Sequence, residues 1–136
     1  MQLACQGFQI SSLKDKNGRI IYLFNDGSLK ALEGPTALQS RFQIEFLYGN
    51  NVGFRNYFGK YLKAETMEWT SSEAGREETL SFEQSDQFVS FKSSDGAYLT
   101  VTDENDLTFK ISTLLEDSQK FVIEKHCSPG KTMFYF

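Results

Sequence analysis

The chain has 136 residues, with 14 Lys and Arg against 18 Asp and Glu, and its formal net charge at pH 7 is -4. This length fits one domain, and the acidic balance argues against a protein dedicated to nucleic acid or to an anionic membrane. Hydrophobic residues make up 40% of the chain and include 13 Phe and 6 Tyr, which excludes a disordered chain. We expect one folded domain over residues 1–136.

The elements predicted in chain order repeat three times. A weak first copy begins at Phe8-Gln9-Ile10 and reaches Gly18 with one extra residue before that glycine. The second and third copies share the pattern Val-x-Phe-x4-Gly-x-Tyr-Leu without a gap, from Val52 to Leu62 and from Val89 to Leu99. Each copy is expected to close on an apolar strand that begins with phenylalanine, at Phe42, Phe82 and Phe121.

Alternating apolar residues in these segments predict strands with one buried face. The dipeptides Asn17-Gly18, Asp26-Gly27 and Asp95-Gly96 predict tight turns between paired strands. The repeats are assigned to residues 8–48, 49–86 and 87–127, with a further C-terminal strand at 132–136. A polar stretch at residues 70–79 and its counterpart at 112–120 join the third and fourth strands of the second and third units, and their apolar periodicity is too weak for a core helix.

Three units of about 40 residues, none able to bury its apolar face alone, predict a closed threefold assembly. The fold class is therefore all-β, and the architecture is a β-trefoil. A WD40 propeller has repeats of similar length, but it needs at least about four blades, and the chain contains no Trp-Asp pair. The recurrent Phe, Tyr and Leu are expected to fill the barrel.

Two segments, Gly59-Lys60-Tyr61-Leu62-Lys63-Ala64-Glu65 and Gly96-Ala97-Tyr98-Leu99, resemble the Gly-x-Tyr-Leu-x-Ala signature of fascin-type β-trefoils. The resemblance implies a cytoskeletal module that binds or cross-links filamentous actin. Hisactophilin-like single trefoils also bind membrane, but this chain has one histidine, His126, and Gln2 in place of the glycine needed for myristoylation. The basic residues that flank the hairpins are the candidates for contacting actin: Arg55, Lys60, Lys63 and Lys92. A solvated strand face explains the same four residues.

The alternative function is carbohydrate recognition. The only tryptophan, Trp69, together with Tyr57 or Tyr61 could stack on a sugar ring. Core packing is the role that we favour for each of these rings. A protein-interaction domain that binds neither actin nor sugar is the third possibility. Fold analogy does not decide among the three, because one fold hosts many functions.

The sequence predicts neither catalysis nor a cofactor. His126 and Cys127 are neighbours, and neighbours in a strand point to opposite faces, so they do not form a catalytic pair. The acidic segment from Asp103 to Asp106 lacks the glycine and glutamate of a calcium-binding EF-hand loop and is expected to be a hairpin tip, with no metal bound.

The location predicted for the protein is cytoplasmic. The longest apolar run, Ile20 to Phe24, is far shorter than the roughly 20 residues that cross a bilayer. The start of the chain lacks the basic and apolar regions of a secretion signal, and no glycosylation sequon occurs. Two free thiols are expected for Cys5 and Cys127 in a reducing compartment, although their pairing stays open.

Overall fold

The computed structural model of the chain describes residues 8–70 and 75–126. This part of the chain contains twelve β-strands and three short 3-10 turns. The strands are β1 Phe8–Lys14, β2 Ile20–Leu23, β3 Leu29–Leu32, β4 Phe42–Phe46, β5 Asn51–Arg55, β6 Tyr61–Lys63, β7 Glu68–Thr70, β8 Thr79–Ser85, β9 Phe88–Lys92, β10 Ala97–Val101, β11 Leu107–Ile111 and β12 Val122–Lys125. The 3-10 turns are Leu38–Ser40, Arg76–Glu78 and Asp117–Gln119, each directly before the last strand of a unit.

Six of the strands form a ring. β1 pairs with β4, β4 with β5, β5 with β8, β8 with β9, and β12 with β1, all antiparallel. The ring closes between β9 and β12, where Val89 and Phe121 exchange backbone hydrogen bonds of 2.8 and 2.9 Å. Closure leaves these strands without a free edge.

The other six strands form three hairpins, β2–β3, β6–β7 and β10–β11. The three hairpins follow the carboxyl ends of β1, β5 and β9, and these three ring strands run in the same direction. All three hairpins therefore lie at one end of the barrel. A six-stranded barrel with three hairpins at one end is a β-trefoil. The predicted all-β class and trefoil architecture are confirmed.

Three equivalent turns connect the barrel to the hairpins. Their first residues, Asp15, Asn56 and Ser93, are all buried. The Asp15 and Asn56 side chains each accept hydrogen bonds from two backbone N–H groups of their own turn, and the Ser93 hydroxyl accepts one. The fourth residue of each turn is a glycine with φ between 82° and 90°, a conformation that glycine adopts without strain. The Asn17-Gly18 and Asp95-Gly96 turns predicted from sequence are therefore present.

We expect Asp15→Ala to lower the free energy of unfolding by about 2 kcal/mol, because the buried carboxylate accepts hydrogen bonds from the backbone of Asn17 and Arg19 and from the Arg19 side chain. Asp15→Asn should lower the free energy of unfolding less, since the Asn56 side chain accepts the equivalent backbone hydrogen bonds in the second unit. The matched control is Asp95→Ala, because Asp95 is exposed in the equivalent third turn. Equal urea midpoints for D15A and D95A would contradict this assignment.

The register of the first copy differs from the prediction. Ser11 pairs with Phe42 as Val52 pairs with Leu80, so Ser11 occupies the place of the first valine in the pattern. The copies therefore align without an extra residue, and the predicted alignment on Phe8 was wrong. The sequence pattern did not identify Ser11, because a polar residue does not mark a buried strand position. Its hydroxyl is buried and has no hydrogen-bond partner among the described residues.

The closing strand of the second copy also differs from the prediction. Leu80 lies in the position of Phe42, and Phe82 lies in the position of Ile44. The second copy therefore has both apolar residues of this strand. The alignment on Phe82 was wrong because the second unit has a shorter connection, so the residue equivalent to Phe42 comes two positions before Phe82, at Leu80.

The barrel interior is filled by aromatic and aliphatic side chains. Phe42, Phe54, Phe91 and Phe121 are all at most 2% exposed. Phe54 stacks on Phe42 with ring centroids 4.8 Å apart and meets Phe91 edge to face at 5.8 Å. The abundance of phenylalanine thus has a packing explanation, as the sequence predicted.

Some predictions fall outside the described part of the chain. The C-terminal strand at 132–136 and the two cysteines, Cys5 and Cys127, are among them. Within residues 8–70 and 75–126, no helix has the length and apolar character needed to cross a bilayer.

Candidate functional site

A cleft with a volume of about 1210 Å³ lies at the hairpin end of the barrel. Its walls are the turn 24–28 between β2 and β3, the turn 56–60 between β5 and β6, and strand β7. Leu29, Met67 and Leu107, one residue from each unit, contribute to its apolar lining. The cleft is therefore built where the three repeats meet.

Three aromatic side chains line this cleft. Phe24 is 39% exposed and Phe58 is 69% exposed, whereas Trp69 is half-buried. The Trp69 ring stacks on Phe42 and Phe54, with centroids 6.4 and 6.3 Å apart. Trp69 is thus anchored in the core, and the two phenylalanines offer apolar surface to a ligand.

Polar groups converge on the same cleft: Asn25, Asp26, Ser28, Lys60, Glu68 and Asp106. Asp26 Oδ1 accepts hydrogen bonds from the Ser28 hydroxyl at 2.7 Å and from the Ser28 backbone N–H at 2.9 Å. These bonds, the hydroxyl first, lower the pKa of the Asp26 carboxyl, which is therefore ionised at neutral pH. Among the described residues, the Lys60 ammonium has no ion-pair partner.

Trp69 explains why the cleft opens here. Its indole Nε1 donates a hydrogen bond of 2.8 Å to the carbonyl of Gly27, in the turn of the first hairpin. Trp69 pairs with Leu62 as Ala31 pairs with Ile21, so Trp69 and Ala31 occupy equivalent positions. The indole therefore stands between β7 and the neighbouring turn.

The interface between the third and first units has no such wedge. The Ala31 backbone N–H donates directly to the carbonyl of Asn105, at 2.8 Å, in the turn equivalent to that of Gly27. Lys30 and Asp106 form a β-bridge and an ion pair alongside. With alanine in place of tryptophan, turn and strand pair through their backbones. The interface between the first and second units, which contains the wide indole, is therefore open, whereas the interface between the third and first units, which contains alanine, is closed.

The structure separates the three residues predicted to bind carbohydrate. Trp69 lines the cleft. Tyr57 is 39% exposed next to the cleft and lies against Phe58, with ring centroids 4.3 Å apart. Tyr61 is 4% exposed, its hydroxyl donates to the Glu45 carboxylate, and the Arg55 guanidinium lies over its ring at 5.2 Å. Tyr61 therefore presents no free ring face to a sugar.

The four predicted actin-contact cations lie in different environments. Arg55 and Lys92 cover the rings of Tyr61 and Tyr98 at 5.2 and 5.6 Å. Lys63 Nζ lies 3.2 Å from Glu77 Oε1, and this contact raises the pKa of Lys63. Lys60 lines the cleft. Three of the four cations are thus engaged with partners of their own domain.

Sequence reasoning missed Phe24, Phe58 and Asp26. The repeats carried a signal for Phe58, because it occupies the third place of its turn, where the other two units have Asn17 and Asp95. Phe58 is also preceded by a second exposed aromatic residue, Tyr57, and adjoining exposed apolar side chains are more typical of a binding surface than one alone. The dipeptide Asp26-Gly27 predicted only a tight turn, and only the tertiary structure places that turn beside Trp69.

A second polar group involves a buried serine. Ser12 Oγ lies 2.8 Å from His126 Nε2 and donates a longer bond of 3.4 Å to Glu124. A serine beside a histidine is the arrangement of an activated nucleophile. Ser12 is 0% exposed, however, so no substrate reaches its hydroxyl. The contact links β1 to the end of β12 and has a structural role.

This contact predicts a pH dependence of stability. Burial, and next the positive charge of Arg41, lower the pKa of His126 below its ordinary value of 6.5. Protonation therefore favours the unfolded chain, and the stabilisation is present above about pH 6.5 and lost as the pH falls through the lowered pKa. The unfolding free energy should therefore fall as the pH decreases below about 6.5. Because His126 is the only histidine, His126→Gln should flatten this part of the profile. An unchanged slope in H126Q would contradict the assignment.

No group of three or more His, Cys, Asp or Glu side chains able to hold a metal ion occurs in the described ranges. The acidic hairpin tip, Asp103 to Asp106, instead forms a turn. In that turn the Thr102 hydroxyl accepts from the backbone N–H groups of Glu104 and Asp106.

No protein-family model and no curated protein sequence matches the chain at a significant level. Solved structures do match its fold. One is a Polyporus squamosus lectin bound to the human-type influenza-binding epitope Neu5Acα2-6Galβ1-4GlcNAc, with TM-score 0.72 and 15% sequence identity, covering 88% of this chain and 50% of the lectin. The chain thus spans half the length of that lectin.

Two further structures extend the comparison. The BEL β-trefoil aligns with TM-score 0.71 and 17% identity over 86% of this chain and 92% of its own. A GlcNAcα1-4Gal-releasing endo-β-galactosidase from Clostridium perfringens aligns with TM-score 0.75 and 12% identity, over 86% of this chain and 32% of the enzyme. At these identities the likeness establishes the β-trefoil fold alone. These comparisons do not establish that the chain belongs to the fascin family.

Proposed function

We propose that this β-trefoil is a non-catalytic carbohydrate-binding module whose ligand lies in the cleft between the first and second hairpins. The observation that carries the proposal is the joint presence of exposed aromatic rings and ionised or amide side chains in one concave site. Sugars offer apolar C–H faces to aromatic rings and hydroxyl groups to carboxylates and amides. Phe24 and Phe58 supply the rings, and Asp26 supplies a carboxylate that is already ionised.

The likeness to a lectin bound to a glycan supports the same proposal. The identity of 15% keeps this support at the level of the fold. The cleft residues themselves carry the argument, because a fold hosts many functions.

Phe58→Ala is expected to weaken saccharide binding about tenfold, because an exposed ring that contacts the ligand is lost while the fold loses little. A glycan array selects the saccharide, and titration followed by Trp69 fluorescence measures its affinity, since Trp69 is the sole tryptophan. The matched control is Tyr48→Ala, because Tyr48 is 82% exposed and does not line the cleft. Absence of binding to every glycan, or equal losses in F58A and Y48A, would refute the site.

A non-catalytic role is supported by the burial of Ser12, which seals the serine–histidine pair from substrate. The sequence offers one histidine for acid–base chemistry. The test is incubation of the purified chain with the saccharides that it binds, followed by chromatography. Cleavage of any of them would overturn the non-catalytic part of the proposal.

Actin binding stays a prediction from the resemblance to fascin-type trefoils. Co-sedimentation with filamentous actin at low and moderate salt tests it directly. Arg55, Lys63 and Lys92 already have partners within the domain, which argues against their assignment as actin contacts. A cytoplasmic location likewise stays a prediction.

A further inference from the structure

A second cavity of about 410 Å³ adjoins the cleft. It is lined by Tyr22, Leu32, Gly34, Pro35 and Gln39, and it shares Leu23, Phe24 and Asn25 with the cleft. Phe24 therefore stands on the ridge between the two cavities, with 39% of its surface exposed. A ligand that leaves the cleft over this ring enters the second cavity, which we call the side groove.

We propose that the site binds an extended, uncharged oligosaccharide that occupies the cleft, crosses Phe24 and continues into the side groove. This inference rests on the proposed function and names its substrate class. The cleft alone, at about 1210 Å³, exceeds the roughly 300–1,000 Å³ of typical small-molecule sites. A single sugar therefore leaves most of the lining without contact.

The walls of the side groove are held in place. The Tyr22 hydroxyl donates to the Pro35 carbonyl, which ties β2 to the segment that follows β3. A Cβ atom at Gly34 would lie 2.9 Å from that hydroxyl, so glycine permits the close approach. This contact restrains the wall formed by Tyr22, Gly34 and Pro35 before a ligand arrives, which lowers the entropic cost of binding.

The charges along this path disfavour an acidic ligand. Asp26, Glu68 and Asp106 line the cleft, and Glu33 lines the side groove. Asp106 is paired with the nearby Lys30. Among the described lining residues, this leaves three carboxylates against one cation, Lys60. A sialic acid or uronic acid would add a like charge to this surface. The hydroxyl groups of neutral sugars can instead donate hydrogen bonds to the carboxylates.

The experiment compares neutral oligosaccharides of one to six units, built from glucose, mannose, galactose or N-acetylglucosamine, by titration calorimetry with the full chain. Within the series that binds, we expect affinity to rise at least about tenfold from disaccharide to tetrasaccharide as the side groove fills. A terminal sialic acid on the same chain should weaken binding, and added salt should reduce that difference.

The double variant Leu32→Ala/Gln39→Ala removes groove contacts and should abolish the gain with chain length while leaving disaccharide binding intact. Its matched control, Leu114→Ala/Gln84→Ala, removes the same residue types from exposed positions that line neither cavity. Binding that is independent of length, or tighter with sialic acid, would overturn this inference and leave the proposed function standing. Binding to none of the series and none of the arrayed glycans would refute both.

Discussion

Replacing Phe91 with alanine is expected to lower the free energy of unfolding by about 3–5 kcal/mol, because the change leaves a cavity in a close-packed core. Phe91 is 0% exposed. Its ring contacts those of Phe54, Phe82 and Phe121 at centroid distances of 5.8, 5.6 and 6.3 Å. These rings come from β5, β8 and the residue before β12, so the cavity would weaken the packing between the second and third units.

Urea denaturation followed by Trp69 fluorescence and by circular dichroism measures this loss. Phe91→Leu should lower the free energy of unfolding less than Phe91→Ala, since leucine fills part of the volume of the phenylalanine ring. Tyr48→Ala serves as the control, because a ring that is 82% exposed contributes little to the core. If F91A lost less than about 1 kcal/mol, the barrel packing described here would be incorrect.

Trp69→Ala is expected to affect both stability and binding. The half-buried indole stacks on Phe42 and Phe54 and donates to Gly27, so its removal should cost about 2–3 kcal/mol. It should also weaken saccharide binding more than about tenfold, because the indole holds the first-hairpin turn away from β7 and so keeps the cleft open. With alanine at this position the interface resembles the closed one at Ala31.

Trp69→Phe separates the two effects. It keeps an aromatic wedge but removes the N–H donor to Gly27, so we expect a loss of about 1 kcal/mol in stability and a smaller loss in affinity. Circular dichroism and titration calorimetry provide the readouts, since the only fluorescent indole is gone. A folded W69A variant that binds saccharide as tightly as the wild type would show that the ligand binds elsewhere.

The threefold architecture could be predicted because its signals are local. Gly18, Gly59 and Gly96 mark equivalent turns that require positive φ, and the alternating apolar residues of β5 and β9 mark a strand face. The alignment failed only where the local pattern was altered, at Ser11, a polar residue on a buried face, and at Leu80, which follows a shortened connection. Pairing partners on other strands were needed to correct both.

The candidate site could be predicted only in part. Trp69 was noticed because it is unique, but Tyr61 was assigned to the same surface although its ring is buried under Arg55. Sequence proximity favoured this grouping. Successive residues of a strand point to opposite faces, so Tyr61 lies on the face opposite to that of Leu62 and its partner Trp69. The sequence alone does not say which face lines a cleft.

By itself the sequence determined the all-β class, the three repeats and the turns, because these depend on apolar alternation and on backbone conformations that few residues adopt. The tertiary structure decided which of the pseudo-equivalent interfaces is open. That depends on a contact across 42 positions of sequence, between the Trp69 indole and the Gly27 carbonyl. The same carbonyl position in the third unit accepts from a backbone N–H instead. The packing of one repeat against the next therefore decides whether an aromatic side chain such as Trp69 only fills the core or also holds a cleft open.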